Sequence, residues 1–164
     1  MRTKFRVMMR YLFVVLAALM MLLDASAQTP AEKFMKQFED VKGAKFINVK
    51  GGAIIFARPA LKKYPIGAMS DSVNEISQLN MGKTSSSEKQ RFEKEMDALM
   101  KDYRYYGKSY TPEGAMDVYV HLKSDDVVDE LVVYNPVKYI LSSLIGIFPV
   151  EDLLKLYKGK TEQK

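Results

Sequence analysis

Apolar residues recur along this chain with two different periods, and the change from one to the other falls near Tyr103. Before it, helical spacing predominates. Phe34, Phe38 and Val41 fall on one face of "TPAEKFMKQFEDVKG", which opens with Thr29, Pro30 and Glu32 in the positions of a capped first turn and closes at Gly43. "SSSEKQRFEKEMDALMKDY" repeats the pattern, with Ser85 and Glu88 boxing its start and Phe92, Met96 and Leu99 as its apolar stripe. Between these helices, "AKFINVKGG" alternates as a short strand that breaks at Gly51 and Gly52. "SVNEISQLNM" reads as a second strand, with Val73, Glu75, Ser77 and Leu79 on one side. "AIIFARPALKKYPIGAM" is apolar but irregular, and Pro59 and Pro65 reduce it to one helical turn followed by a long loop.

From Tyr103 the period is two. "YRYYGKS", "AMDVYVHLK", "VVDELVVYN" and "KYILSSLIGI" read as four consecutive strands, separated by the turn chemistry of Pro112 and Gly114, of "KSDD", and of Asn135-Pro136. Connections this short join antiparallel neighbours, so the C-terminal half is expected to be a meander. "PVEDLLKLYKG" then forms a helix starting at Pro149, with Glu151 and Asp152 in the first turn, where the dipole favours anions, and Lys158 at its end. The expected class is α+β: an antiparallel sheet with a C-terminal four-strand meander and helices packed on one face. Only Val137 to Phe148 separate Pro136 from Pro149, and Lys138 and a Ser pair interrupt that run. It is too short to cross a bilayer and reads as a central strand packed on both sides.

The first 27 residues have a different logic. Arg2, Lys4, Arg6 and Arg10 precede an uninterrupted apolar run, Tyr11 to Leu23, and small residues follow at Ala25 and Ala27. This is the layout of a secretory signal peptide cleaved after Ala27, leaving residues 28–164 as a single domain. Its 13 apolar residues fall short of the roughly 20 needed to span a bilayer. Removing four basic residues and Asp24 from totals of 25 and 20 leaves 21 and 19, a net +2. The excess positive charge therefore belongs mainly to the targeting segment, and nothing in the overall balance points to nucleic acid. The chain has no Cys and one His. That excludes a lipidated Cys, disulfides and thiolate zinc sites; together with the signal peptide, the expectation is an exported, periplasmic or extracellular protein that is not a lipoprotein.

The motifs that could carry chemistry are few. In "LNMGKTSSSE" a phosphate-binding loop would need a glycine at position 77, where Ser77 stands, so a strand-to-helix turn is expected. His121 lies beside Tyr119 on the face of its strand opposite Val118, Val120 and Leu122, with no nucleophile elbow anywhere in the chain. Asp125, Asp126, Asp129 and Glu130 lack the order of a calcium loop, and alternation would send Asp129 and Glu130 to opposite faces. No catalytic residue, metal ligand or cofactor site emerges. The strongest binding candidate is the strand bearing Tyr103, Arg104, Tyr105, Tyr106, Lys108 and Tyr110, because tyrosine joins a rigid apolar face to a polar tip and so suits a protein or a glycan.

"FMKQFEDVKGAKFINVKGG", the helix ending near "EMDALMKDY", "DVYVHLKSDDVVDELVVYN" and "SLIGIFPVEDLLKLY" follow one another in an order that resembles the exported bacterial family known as domain of unknown function 4252, found mainly in the Bacteroidetes. The resemblance spans most of residues 31–158. It implies an exported protein with no assigned enzymatic activity, and it supplies no catalytic residue. Glu130 and Gly146 match recurring positions of that family; Gly146 is expected to permit a close backbone approach or a bulge. The expected function is accordingly a non-enzymatic binding or interaction module of the cell envelope. A hydrolase using carboxylates gathered by the fold is the alternative, and dimerisation through an exposed edge strand is a third possibility.

Overall fold

The computed structural model describes residues 28–111 and 114–158. The expected signal peptide, Pro112 of the first turn of the meander and the residues after Lys158 lie outside them. Six antiparallel strands form one sheet: β1 (Lys45–Lys50), β2 (Val73–Asn80), β3 (Arg104–Thr111), β4 (Gly114–Ser124), β5 (Val127–Asn135) and β6 (Ile140–Pro149). Their order across the sheet is β1-β2-β6-β5-β4-β3. The last four make the expected meander, and the β1–β2 pair is added along the free side of β6.

Among the described residues, four α-helices accompany the sheet: α1 (Pro30–Lys36), α2 (Ile54–Leu61), α3 (Ser86–Leu99) and α4 (Val150–Lys158). The caps fall where the sequence puts them, since Thr29 Oγ1 accepts from Glu32 N–H at 3.2 Å and Ser85 Oγ accepts from Glu88 N–H at 3.3 Å. Helix α1 is shorter than its pattern suggests. It stops at Lys36, and the chain continues to Ala44 through turns closed by bonds three residues apart, such as Phe38 N–H to the Met35 carbonyl at 3.1 Å. Tighter winding still delivers Phe38 to the core. The segment expected to be mostly loop is instead α2, with Pro59 inside it, followed by a 3₁₀ helix over Pro65–Ser72. Ile54 anchors α2 in the core, while exposed Pro59 removes a backbone donor only on the solvent side.

The helices are shared between the two faces of the sheet rather than gathered on one. Along β5, Val132 and Tyr134 join one apolar cluster, while Leu131 and Val133 join the other. Alternate strand residues point to opposite faces, so the clusters lie on opposite sides. Phe34, Met35 and Phe38 from the α1 segment and Phe92 and Met96 from α3 fill the first, and their rings pack with Phe92 5.4–5.5 Å from Phe34 and Phe38. Ile54 of α2, Met69 of the 3₁₀ helix and Leu153 of α4 fill the second. The reason lies in β5 and β6, which are apolar on both faces and leave no side of the sheet that water can cover cheaply.

The run from Val137 to Phe148 contributes β6, between β2 and β5, with Leu141 packed on one face and Leu144 and Phe148 on the other. Its entry turn is tied by Asn135, whose Oδ1 accepts the N–H groups of Val137 and Lys138 at 3.0 Å each. Gly146 is fixed by proximity. A Cβ there would stand 2.1 Å from the Ser72 carbonyl oxygen and 2.8 Å from the Phe148 ring. Among the described residues, no helix is long and apolar enough to cross a membrane.

Candidate interaction surface

Strand β3 is one edge of the sheet, so its outer backbone groups have no strand beside them among the described residues. Its pairing with β4 runs Thr111 with Gly114, Tyr110 with Ala115, Ser109 with Met116, Lys108 with Asp117 and Gly107 with Val118. Tyr105 then pairs with Tyr119, so β3 advances two residues while β4 advances one. This is a β-bulge, with the extra residue at Tyr106. Gly107, at φ 144, occupies the backbone region that the distortion requires.

The bulge resets which side chains share a face. Strict alternation would place Tyr105 opposite Lys108. With one residue inserted, Tyr105, Lys108 and Tyr110 all stand on the side of β4 that carries Asp117 and Tyr119. The Tyr105 and Tyr119 rings meet edge-on at 5.3 Å, the Tyr105 hydroxyl donates to Asp117 Oδ1 at 3.3 Å, and Lys108 Nζ lies 3.2 Å from the same oxygen. Tyr105 is 51% exposed and Tyr110 66%. The Lys108 ammonium is raised above its ordinary value, chiefly by its hydrogen bond and charge pairing with Asp117, so it stays protonated. The face thus presents two accessible rings, a fixed cation and a carboxylate on one short ribbon.

Of the six residues singled out from the sequence, Tyr105, Lys108 and Tyr110 come together there. Arg104 and Tyr106 precede and occupy the bulge, Arg104 exposed and Tyr106 half-buried against the second cluster. Tyr103 is withdrawn into the first cluster. Asp117 and Tyr119 were not singled out, although the two-residue connection after Thr111 permits the register to be counted back from Gly114 to find Lys108 facing Asp117.

The second polar constellation is internal. Glu130 is 2% exposed, yet its carboxyl group is served by three hydroxyls: Thr29 Oγ1 donates to Oε1 at 2.8 Å, Ser143 Oγ donates to Oε1 at 2.5 Å and Tyr103 Oη donates to Oε2 at 2.7 Å. Tyr103 Oη in turn accepts the Ala31 N–H at 3.2 Å. The carboxyl therefore fastens the start of α1 to β5, β6 and the residue preceding β3. Burial first, and the neighbouring Glu130 second, push the Tyr103 hydroxyl far above the usual tyrosine range.

His121 pairs with Glu130 across β4 and β5, and its ring packs edge-on against Tyr103 at 6.0 Å. Its Nδ1 lies 2.7 Å from Asp129 Oδ1. Alternation alone would keep Asp129 away from that side, but a register shift between Val128 and Glu130 relaxes it. Two further shifts flank Leu122, which is 36% exposed instead of joining Val118 and Val120 in the core. The Gly-Lys-Thr segment is a strand-to-helix turn, held by Thr84 Oγ1 donating to the Met81 carbonyl at 2.7 Å and Gly82 N–H donating to Asn80 Oδ1 at 2.8 Å. Asp126 is engaged by Ser124 Oγ at 2.7 Å, and no cluster of three potential metal ligands occurs among the described residues. No family model, curated protein or solved structure matches the chain.

Proposed function

We propose that this protein is an exported, non-enzymatic interaction module of the cell envelope, of the kind implied by the resemblance to domain of unknown function 4252, and that it engages a protein or glycan partner through the tyrosine face of β3 and β4. The observation that carries this reading is the bulge at Tyr106, which gathers Tyr105, Lys108 and Tyr110 on one open side of an edge strand. Rigid aromatic rings beside a fixed ion pair bind at low cost in conformational entropy, and a strand edge can add main-chain hydrogen bonds.

The carboxylate-hydrolase reading finds less support. Glu130 is buried beneath three hydroxyl donors, and its neighbour Asp129 is occupied by His121, so neither presents a free carboxyl to a substrate. The test is capture of envelope components by the immobilised chain from Gln28. Tyr105→Ala with Tyr110→Ala is expected to reduce capture about tenfold or more, as aromatic anchors do, whereas Tyr106→Phe retains it. Undiminished capture by the double variant would remove this face from consideration.

A further inference from the structure

Helix α2 has an outward face that is as apolar as its inward one. Ile54 is buried, Ala57, Arg58 and Leu61 are half-buried, and Arg58 Nη2 donates to the Val73 carbonyl at 3.1 Å. The opposite side carries Ile55, Phe56, Pro59 and Ala60, all exposed, with Phe56 at 86% and Ile55 at 61%. Gly51 and Gly52 precede the helix with open space around them. An apolar surface of this kind, left in water by a helix that already has a core contact, marks a site of interaction.

The surrounding charge indicates what covers it. From Val41 to Ser70 the chain contains no Asp or Glu, while it contains Lys42, Lys45, Lys50, Arg58, Lys62 and Lys63. Lys62 and Lys63 are exposed directly after α2. Lys45 and the exposed Ile47 alternate with Val49, which packs in the same cluster as α2, so both belong to the sheet face that α2 covers. The small overall charge of the chain conceals this local excess. A protruding aromatic and aliphatic pair, followed at once by Lys62 and Lys63 and with Asp71 the one exposed carboxylate of the adjoining 3₁₀ helix, fits the interface of an anionic bilayer. There the apolar tips enter the acyl boundary and the lysines stay among the headgroups.

We infer that α2 is a peripheral membrane anchor, docking the domain on an anionic lipid surface through Ile55 and Phe56 with Lys62 and Lys63 as the electrostatic contact. One short apolar insertion gives only weak binding, and the basic residues supply the second signal that makes it appreciable. The tyrosine face belongs to the far edge strand, β3, and so remains available to a partner.

The test is co-sedimentation with vesicles of phosphatidylglycerol and phosphatidylethanolamine. Among the described residues, the buried apolar side chains of both clusters lie between Ala31 and Leu153, so the chain from Gln28 retains them all. It is expected to bind anionic vesicles and to be released by high salt. Ile55→Ser with Phe56→Ser should weaken binding about tenfold or more, and Lys62→Gln with Lys63→Gln at least about fivefold. Tyr105→Ala with Tyr110→Ala should leave vesicle binding unchanged while reducing partner capture, which separates failure of this anchor from failure of the tyrosine face. An unaltered thermal melt checks that the outward substitutions leave the fold intact. Equal binding by wild type and the Ile55/Phe56 variant, or no binding to anionic vesicles, overturns the proposal. So does a wild-type dimer in light scattering that Phe56→Ser dissolves, because a second copy would then occupy the face.

Discussion

At the scale of single residues, the fold depends on how Glu130 is satisfied. A buried carboxyl group without donors is costly, and here three hydroxyls from separate segments supply them. Glu130→Ala strands all three, and the expected loss is about 3 kcal/mol or more, read from urea unfolding. A loss below about 1 kcal/mol would mean that the hydroxyls find other partners. Tyr103 adds a pH dependence whose direction follows from its raised pKa. The folded state favours the neutral phenol, so its contribution is complete below the ordinary tyrosine value near 10 and declines as pH rises beyond it. The melting temperature should thus hold between about pH 7 and 9 and fall steeply above about 10. Tyr103→Phe should start lower at neutral pH, by about 1.5–3 kcal/mol for a hydrogen bond to a carboxylate, and then decline less steeply. Buried Tyr134, also raised, keeps part of the alkaline loss in that variant.

At the scale of elements, the strands and caps were legible because they follow local rules, whereas the bulge was not. Alternation in "YRYYGKS" gives a strand, and the Thr111–Gly114 connection gives its register near the turn, but no residue type forces an insertion at Tyr106. Gly107 is the one local sign, since its φ of 144 favours glycine. Similarly, Pro59 and Pro65 signal interruption in "AIIFARPALKKYPIGAM", and the helical first part is held by tertiary contacts, Ile54, Ala57 and Leu61 packing in the second cluster and Arg58 bonding to the Val73 carbonyl. Glu130 illustrates the remaining limit: its partners Thr29, Tyr103 and Ser143 are brought together by topology, which local periodicity does not contain. Deleting Tyr106 tests the role of the bulge. Without it, β3 pairs residue for residue with β4 and still sets Tyr105, Lys108 and Tyr110 opposite Tyr119, Asp117 and Ala115, so partner capture and cooperative unfolding should both persist. Capture lost on the deletion would show that the distorted backbone at Tyr106, and not only the shared face, forms the surface.

On the scale of the whole molecule, two cores on opposite faces could behave as separate folding units, and the sheet decides otherwise. Strands β2, β5 and β6 place side chains in both clusters: Leu79 with Val73, Val132 with Leu131, Leu141 with Leu144. Melting either cluster exposes apolar residues on strands whose other face is still packed, so partial unfolding loses burial without releasing much chain entropy. A domain of this size in which every layer shares the central strands should unfold in one step. The methionines provide probes on both sides, with Met35, Met81 and Met96 in the first cluster and Met69 in the second. Their methyl resonances are expected to lose native positions over one temperature interval, with calorimetric and van't Hoff enthalpies equal. Truncation before Lys138 removes β6 and with it the contact between the two halves of the sheet, and it should abolish the cooperative transition entirely. If Met69 melted several degrees before Met96 in the intact chain, the face bearing α2 would be an independent and weaker layer. Coupling through β6 would then be smaller than its central position implies.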